Sequence, residues 1–548
     1  MSELRTLARA LADAARLPHG MTFLDRGQAT RRTYADLEAT SRGVARALTR
    51  AGLRRGDLAA IMLPDPEAFL TTLFGASMAG IVPALVTPPS TMIDLPRFVA
   101  TTTGVLRAAG ARAVITDAAL APAFEAARVA CSELRLVIDR AALDTSSPAN
   151  GGVDVAGALD ASLDDLAFVQ FTSGSTSSPK GVALTHRNIA ANVAAVNGSA
   201  GLETGRPDDV AVSWLPLYHD MGLVGMVFGA LYSKIPAVVL TPQAFVKRPT
   251  EWLRAITQYR GTISYAPTFA YDLCVRRVKE RDLVGLDLSS WRVAGCGAEP
   301  IHAPTLAAFA DRFAPCGFRR SSLLPSYGLA EHVVAAAMAP RDRAPRVERL
   351  GEEDVVSCGR PLPGHDLRIV AEDGCPLPDG RIGEIVLSGP SVMVGYYRQD
   401  ALTATTIRQG WLHTGDLGYV SGGELFVCGR AKEVIIANGR KFHPQDLEWA
   451  VADLDAVRRG RAVAFGIASA GHADRVVVLV EPKGLTSQAE IADAVRLRIR
   501  DGFGLFVDEV ICVPAGTIGR TTSGKLQRAA AKQAYERGEF APVGVTKG

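Results

Sequence analysis

The stretch that most constrains the fold is FTSGSTSSPKGVALTH, residues 171 to 186. Apolar runs flank it, Leu166-Ala167-Phe168-Val169 before and Val182-Ala183-Leu184 after. Short apolar runs bounded by turn residues read as buried strands. The segment between them is therefore a loop joining two strands, crowded with Ser, Thr and Gly around the single cation Lys180. That composition suits the wrapping of a polyphosphate. Glycine lets backbone N–H groups approach an anion, hydroxyls donate to phosphate oxygens, and lysine supplies a point charge. A flexible Ser/Gly surface loop is the competing reading.

A chain of 548 residues is too long for one core, so two or three domains are expected. Its 60 basic and 57 acidic residues leave a formal charge of +3. The densest basic run is Arg458-Arg459-Gly460-Arg461, a solvated patch, so nucleic acid is not expected as a ligand. The eight cysteines are scattered without CxxC or Cys/His ligand spacing, which fits reduced thiols in a cytoplasm. No transmembrane segment is expected, because Lys234 interrupts the best apolar run, Met226 to Leu240. The N-terminus carries Leu4, Leu7 and Leu11 at helical spacing with Arg9 and Asp13 between, which predicts an amphipathic first helix.

Strand-like and helix-like patterns alternate along most of the sequence, which predicts α/β layers. Asn188 reads as an N-cap, with Ile189, Val193 and Val196 on one face and Gly198 as the stop. From about 355 to 430 the texture changes to short strands, with hairpin punctuation at Asp373-Gly374 and Asp379-Gly380. After Gly429 a compact tail is expected, with strands near 462–467, 475–481 and 509–513 and a helix over about 488–500. It ends in a second hydroxyl-rich loop, GRTTSGKLQR, which carries Lys525. A lysine on a mobile loop can swing into a distant site and neutralise developing charge; a solvated lysine beside a turn is the plainer alternative.

Other stretches carry candidate chemistry. SWLPLYHDMGLVG holds His219 among aromatics and glycines, which suits a ligand gate as well as a structural histidine. GAEP and SYGLAEH set Glu299, Glu331 and Tyr327 beside glycines. A carboxylate near a phosphate loop can hold Mg²⁺ through oxygen, and a tyrosine can stack on a base. GWLHTGDLGYV offers Asp416 as an acceptor for ribose hydroxyls or as an Asx-turn cap.

Taken in order, FTSGSTSSPKG, SYGLAE, WLHTGDLG, GRAKEVIIANGRKFHPQDLE and TTSGKLQR resemble the adenylate-forming superfamily of acyl-CoA synthetases, adenylation domains and luciferases. The resemblance runs from about residue 33 to Arg528 and is nearest to fatty acyl-AMP ligases, also called acyl-acyl carrier protein synthetases. It implies an α/β fold: a large N-terminal adenylation domain, 1–429, of layered sheets with a small β-barrel subdomain at about 355–429. A hinge at 430–434 and a small mobile α+β C-terminal domain, 435–548, would follow.

It further implies ATP and Mg²⁺ as cofactors, with a fatty acid and an acyl carrier protein, or alternatively CoA, as partners. Thr172, Ser173, Gly174, Ser175, Thr176 and Lys180 would hold the phosphates, and Glu331 with Thr172 the metal. Gly297, Ala298, Glu299, Ser326, Tyr327 and Gly328 would line the adenine pocket, while Asp416 and Arg430 hold the ribose. Lys525 would bridge the substrate carboxylate and the α-phosphate, with Lys180 and His219 as further catalytic candidates and Lys432 at the hinge. Tyr265, Met221, Gly222 and Gly295 would belong to an acyl pocket between the helix after Tyr265 and the strand ending at Gly295. The carrier-protein ligases carry an insertion between YGLAE and SCGRPLPG that hampers domain rotation; here the segment Glu331 to Ser357 reads as only modestly extended. The RQGWLHTGDLG stretch is closer to the CoA-ligase form.

Overall fold

The computed structural model describes residues 4–25, 27–89, 95–143, 145, 161–172, 180–350, 353–437, 440–469, 472–484, 486–520 and 526–540. Two large sheets dominate it. The seven-stranded sheet contains Leu166–Thr172 and Lys180–Thr185, which pair antiparallel as the flanks of the first loop require. The nine-stranded sheet contains three parallel neighbours, Ile263–Ala266, Val293–Cys296 and Leu323–Tyr327. A five-stranded antiparallel sheet follows, in which Trp411–Ser421 pairs with both Gly383–Ser388 and Glu424–Arg430.

Apolar faces of the two large sheets are sealed by shared helices. Phe168 from the seven-stranded sheet and Phe74 from helix Pro66–Met78 both approach Phe228, at 6.3 and 6.1 Å between ring centroids. Phe228 ends the π-helix Met221–Phe228. On the far side of the nine-stranded sheet, Trp252, Tyr271, Trp291, Phe309 and Phe313 are all fully buried and meet mostly edge to face. Such pairs add about 0.5–1.5 kcal/mol each beyond the area they bury.

The first helix spans Leu7–Ala14, is capped by the Thr6 side chain, and buries Leu7 and Leu11 against the body. One local expectation is corrected. Helix His186–Asn197 is capped by Thr185, and Asn188 is the third residue of a capping box, returning its Oδ1 to the Thr185 N–H at 3.0 Å. The strand before the helix runs on to Thr185, so the first residue leaving extended geometry does the capping. Gly374 and Gly380 do take positive φ, 85° and 79°. Both lie between Asp366–Val370 and Gly383–Ser388, where the bridge of Val370 with Pro376 and the Ala371 N–H donating to the Cys375 carbonyl at 2.9 Å close a tight turn over Asp373-Gly374.

Apolar residues from Ile435 onward gather in cores of their own around the sheet Val457–Ser469, His472–Pro482 and Glu509–Cys512. Helix Gln488–Phe503 opens with a Ser487–Glu490 capping box and stops at Gly504, φ 61°. Ile491, Val495 and Ile499 recur on one face and are fully buried, worth about 1.5–3 kcal/mol each. This unit docks on the body through helix Pro444–Ala452: the Trp449 ring lies 4.6 Å from that of His302. Beside it, Gln445 Nε2 donates to the Cys428 carbonyl at 2.6 Å. Among the described residues, no helix is long and apolar enough to cross a membrane.

Candidate active site

The three parallel strands Ile263–Ala266, Val293–Cys296 and Leu323–Tyr327 end at one edge, and the candidate residues follow directly from those ends. Carboxyl ends of parallel strands are where open α/β sheets form ligand crevices. Gly297 follows Cys296, and a Cβ there would sit 2.7 Å from the Ser326 carbonyl, so only glycine lets the turn lie against the next strand. Ala298 takes φ 68°. The Glu299 carboxylate accepts from the Phe269 N–H at 2.7 Å, capping helix Thr268–Arg277, which is a structural use of a predicted adenine-pocket residue.

Tyr327 ends its strand pointing at the five-stranded sheet. Its hydroxyl donates to Asp416 Oδ2 at 2.8 Å, and Arg430 Nε donates to Oδ1 at 3.0 Å. Asp416 and Arg430 are register partners on adjacent strands, which is why residues so far apart in sequence meet. The Asp416 charge, 7 % exposed, raises the Arg430 guanidinium above its ordinary value. Burial pushes the Tyr327 phenol far up, so it stays a donor. The triad forms a charged, preorganised platform.

Beyond Tyr327 the chain turns sharply. A Cβ at Gly328 would fall 1.7 Å from the Val334 carbonyl. Glu331 sits in the short turn Ala330–His332, followed by Val333 at φ 67°, ψ −68°, fully buried. The Val334 N–H closes this γ-turn on the His332 carbonyl at 2.9 Å. That conformation is strained for a β-branched residue and persists only where surroundings enforce it. Asn192, fully buried on helix His186–Asn197, enforces it by donating to the His332 and Ala335 carbonyls at 3.2 and 2.8 Å. Strain of this kind concentrates at functional sites, and here it aims Glu331.

Lys180 begins its strand opposite Thr172, with its Nζ 5.3 Å from the centroid of the Tyr396 ring. Tyr396 also donates its hydroxyl to Glu331 Oε1 at 2.8 Å. Among the described residues no donor reaches Oε2. The Thr172 side chain and Ser173, Gly174, Ser175 and Thr176 lie outside the described residues. Among the described residues no group of three or more His, Cys, Asp or Glu gathers as a metal cage. A lone carboxylate with one free oxygen is what a Mg²⁺ carried on phosphate oxygens requires, so the donor set fits that ion.

His219 Nδ1 lies 2.5 Å from Asp220 Oδ1, an atom that also accepts from the Met221 N–H at 2.6 Å. The pair heads the π-helix that carries Met221 and Gly222. Close contacts cross the space between the helix after Tyr265 and the strand through Gly295, where an acyl pocket is expected. Tyr271 from that helix donates to the Gly295 carbonyl at 2.8 Å and packs edge to face on Phe309. A Cβ on Gly295 would fall 2.1 Å from the Tyr265 ring, and one on Gly222 2.3 Å from the Pro216 carbonyl, so both glycines serve close packing. Gly225 on the same π-helix is less crowded: among the described residues a Cβ there would meet only Val334 Cγ2, at 3.8 Å. Asp272 is spent in ion pairs with Arg276 at 2.7 Å and Arg459 at 3.8 Å.

On the tail, Lys525 lies outside the described residues, but its flanks are described: Arg520 and Leu526 form an isolated bridge. Burial holds the Arg520 guanidinium below its ordinary value, partly opposed by the Glu299 carboxylate. Lys432 is exposed in the turn Ala431–Glu433. Arg528 spans Glu448, through two bonds of 2.7 Å, and Glu433, at 2.7 Å. The sequence reading missed Asn192, Tyr396, Trp449 and Arg528. Asn192 had a signal, a polar residue one position before Val193 on an apolar helix face.

A model of the AMP-binding enzyme family matches residues 11–397. A medium-chain fatty acid–acyl carrier protein ligase of Moorena producens is 34% identical, over 92% of this chain and 90% of its own. A protein of Caulobacter vibrioides whose name gives acyl-CoA synthesis is 35% identical, over 98% and 96%. A structure from a study of fatty acyl-adenylate ligases of E. coli and L. pneumophila superposes with a TM-score of 0.89 at 34% identity, covering 98% of this chain and 99% of that one.

Proposed function

The chain belongs to the AMP-binding enzyme family, and we propose that it activates a medium- or long-chain fatty acid with ATP and passes the acyl group to a carrier-protein thiol. The carrying observation is the meeting, at the strand ends, of the Tyr327–Asp416–Arg430 platform with Lys180 and Glu331. One face offers a carboxylate for ribose hydroxyls, the other a cation and a carboxylate for a metal-bearing polyphosphate.

In the first step a fatty carboxylate oxygen attacks the α-phosphorus of ATP. The bond to the bridging oxygen breaks, pyrophosphate leaves, and acyl-AMP remains. Two anions must approach, so the barrier is electrostatic and fixed donors carry the catalysis. In our reading Lys180 and the loop 172–176 hold the β- and γ-phosphates, Asp416 and Arg430 fix the ribose, and Gly297 to Glu299, Ser326, Tyr327 and Gly328 border the base. Mg²⁺, held by Glu331 and Thr172, would screen the phosphate charge when bound. Lys525 comes in from the tail to bridge carboxylate and α-phosphate, and His219 stands at the gate. The acyl chain runs along the open side of the π-helix near Gly225, with Met221 and Tyr265 as its walls.

In the second step a thiol sulfur attacks the acyl carbonyl carbon and AMP leaves. The tail, residues 435–548, turns on a hinge at 430–434 to admit the thiol. Carrier protein is favoured over CoA by the Moorena relative, and the hairpin Val347–Leu350 with Glu353–Val356 lies in the modestly extended segment between Glu331 and Ser357. Val355 packs on Tyr419, Phe426 and Cys428, and Glu348 accepts from Ser421 Oγ at 2.8 Å. That hairpin braces strand Glu424–Arg430, which runs into the hinge. The CoA reading is kept alive by the Caulobacter relative's name. The test supplies ATP, Mg²⁺ and acids of graded length with either CoA or a phosphopantetheinylated carrier protein. Acyl-carrier thioester in excess is expected; acyl-CoA alone overturns the acceptor, and no adenylate from any acid overturns the function.

A further inference from the structure

Two opposite charges in this site have complementary uses, provided they do not consume each other. Lys180 and Glu331 approach the same tyrosine, Tyr396, from two sides. The Lys180 ammonium lies over its ring, 5.3 Å from the centroid. The hydroxyl donates to Glu331 Oε1 at 2.8 Å. Tyr396 is 6 % exposed and rigidly mounted. It pairs with Val182 on the strand that begins at Lys180, and its N–H donates to Thr403 Oγ1 at 2.8 Å. A Cβ on the preceding Gly395, φ 157°, would fall 2.6 Å from Thr403 Cγ2, so the backbone has no room to drift.

We propose that Tyr396 is a positioning residue that keeps Lys180 and Glu331 apart and turns one carboxylate oxygen outward. Its hydroxyl reserves Oε1 and leaves Oε2 for a metal ion. Its ring face parks the ammonium by cation–π attraction, a softer hold than an ion pair, from which a phosphate can draw it. Without the tyrosine, lysine and glutamate would close a direct ion pair, and each would lose its role. The proposal rests on the assignment of Glu331 to the metal and Lys180 to the phosphates. It accounts for a residue that lies 65 positions from Glu331 in sequence and was not among the motif residues.

Two variants separate the hydroxyl from the ring. Calorimetry of ATP binding in the absence of fatty acid, with and without Mn²⁺ as the probe metal, measures metal affinity and nucleotide affinity without turnover. Y396F keeps the ring; it is expected to bind metal-free ATP as the parent does and to need about 10–100-fold more Mn²⁺, the usual cost of losing a partner of a metal ligand. Y396L is expected to weaken metal-free ATP as well, because Lys180 is released onto Glu331. An unchanged Mn²⁺ requirement in Y396F overturns the proposal, as does a loss in Y396F that is equal with and without metal. E331Q serves as the separate control. If it leaves the Mn²⁺ requirement unchanged, the metal assignment itself fails, whatever the tyrosine variants do.

Discussion

Arg528 offers a sharp test of how the tail is built. Its guanidinium makes paired 2.7 Å bonds to both oxygens of Glu448 and a third of 2.7 Å to Glu433. Glu448 is 5 % exposed, and its other partner is the Ala464 N–H at 3.1 Å. Replacing Arg528 by Met strands a carboxylate inside the tail. Removing one member of a buried pair costs about 3–5 kcal/mol. For a unit of roughly 100 residues, each kcal/mol lowers Tm by about 4–8 °C, so the tail transition is expected to fall by more than ~12 °C.

The penalty carries a pH signature. Burial already raises the Glu448 carboxyl above its ordinary 4.5, and Arg528 is the chief group pulling it back down. In Arg528→Met that pull is gone, so the folded value rises further above the unfolded one. A raised carboxyl stabilises the fold below the unfolded value, and that support is lost as pH rises through the folded value. The variant is therefore expected to be nearest the parent around pH 4.5 and furthest from it at pH 7–8, by differential scanning calorimetry or urea melts. Arg528→Met with Glu448→Leu is expected to recover most of the loss, because a buried pair replaced by apolar groups is often neutral. A single variant that melts with the parent, or a deficit flat across pH 4.5–8, would refute the reasoning.

The remaining expectations concern chemistry and docking. Lys525→Ala is expected to slow pyrophosphate exchange by about 10²–10³-fold while sparing thioester formation from preformed acyl-AMP; retained exchange counts against the assignment. Asp416→Ala removes the acceptor of the buried Tyr327 hydroxyl and the proposed ribose contact; at about 1.5–3 kcal/mol per charged hydrogen bond, the KM for ATP is expected to rise roughly 10- to 150-fold, read by steady-state kinetics. His302 is lowered by burial beneath Trp449, partly opposed by Asp453, Asp272 and Asp354 and aided by Arg459. A depressed histidine supports docking above its ordinary 6.5 and withdraws that support as pH falls, so a fluorescence pair across the domains is expected to report loosening in acid, abolished as a pH effect in His302→Phe.

What the sequence made legible was local. Lys180, Tyr327, Asp416 and Arg430 sit in stretches whose Gly and hydroxyl content announces ligand-facing loops, and the structure brings the last three within hydrogen-bond reach. The strands flanking the first loop were equally plain, because continuous apolar runs have few other fates. What stayed hidden depends on long-range packing. Tyr396 meets Glu331 only because its short strand lies against the one begun by Lys180. The reach of Tyr271 to the Gly295 carbonyl depends likewise on how its helix packs on the strand, which no local pattern announces. The Asn188 cap was displaced by three residues because the strand continues to Thr185, a matter of sheet register rather than of helix signals.

The two sides of the proposed hinge are tied to different bodies. Arg430 is bonded to Asp416 on the five-stranded sheet, whereas Glu433 is bonded through Arg528 to Glu448 in the tail. A rotation that spares both attachments has only Ala431 and Lys432 to turn on. Proline at 432 is a poor lock, because it drives the preceding residue out of helical geometry, and Ala431 begins the 3₁₀ turn Ala431–Glu433. Proline at 431 suits the observed backbone: the first position of a helical turn tolerates it, and Arg430 before it is extended at φ −102°, ψ 134°. Since Arg520 feels the Glu299 charge in this arrangement, the locked state is expected to be the one competent for the first step. Ala431→Pro is thus expected to keep pyrophosphate exchange near the parent rate and to slow transfer of preformed acyl-AMP to the carrier thiol by tenfold or more, about 1.4 kcal/mol of barrier. If both half-reactions fall together, or transfer is untouched, the pivot lies elsewhere in the chain.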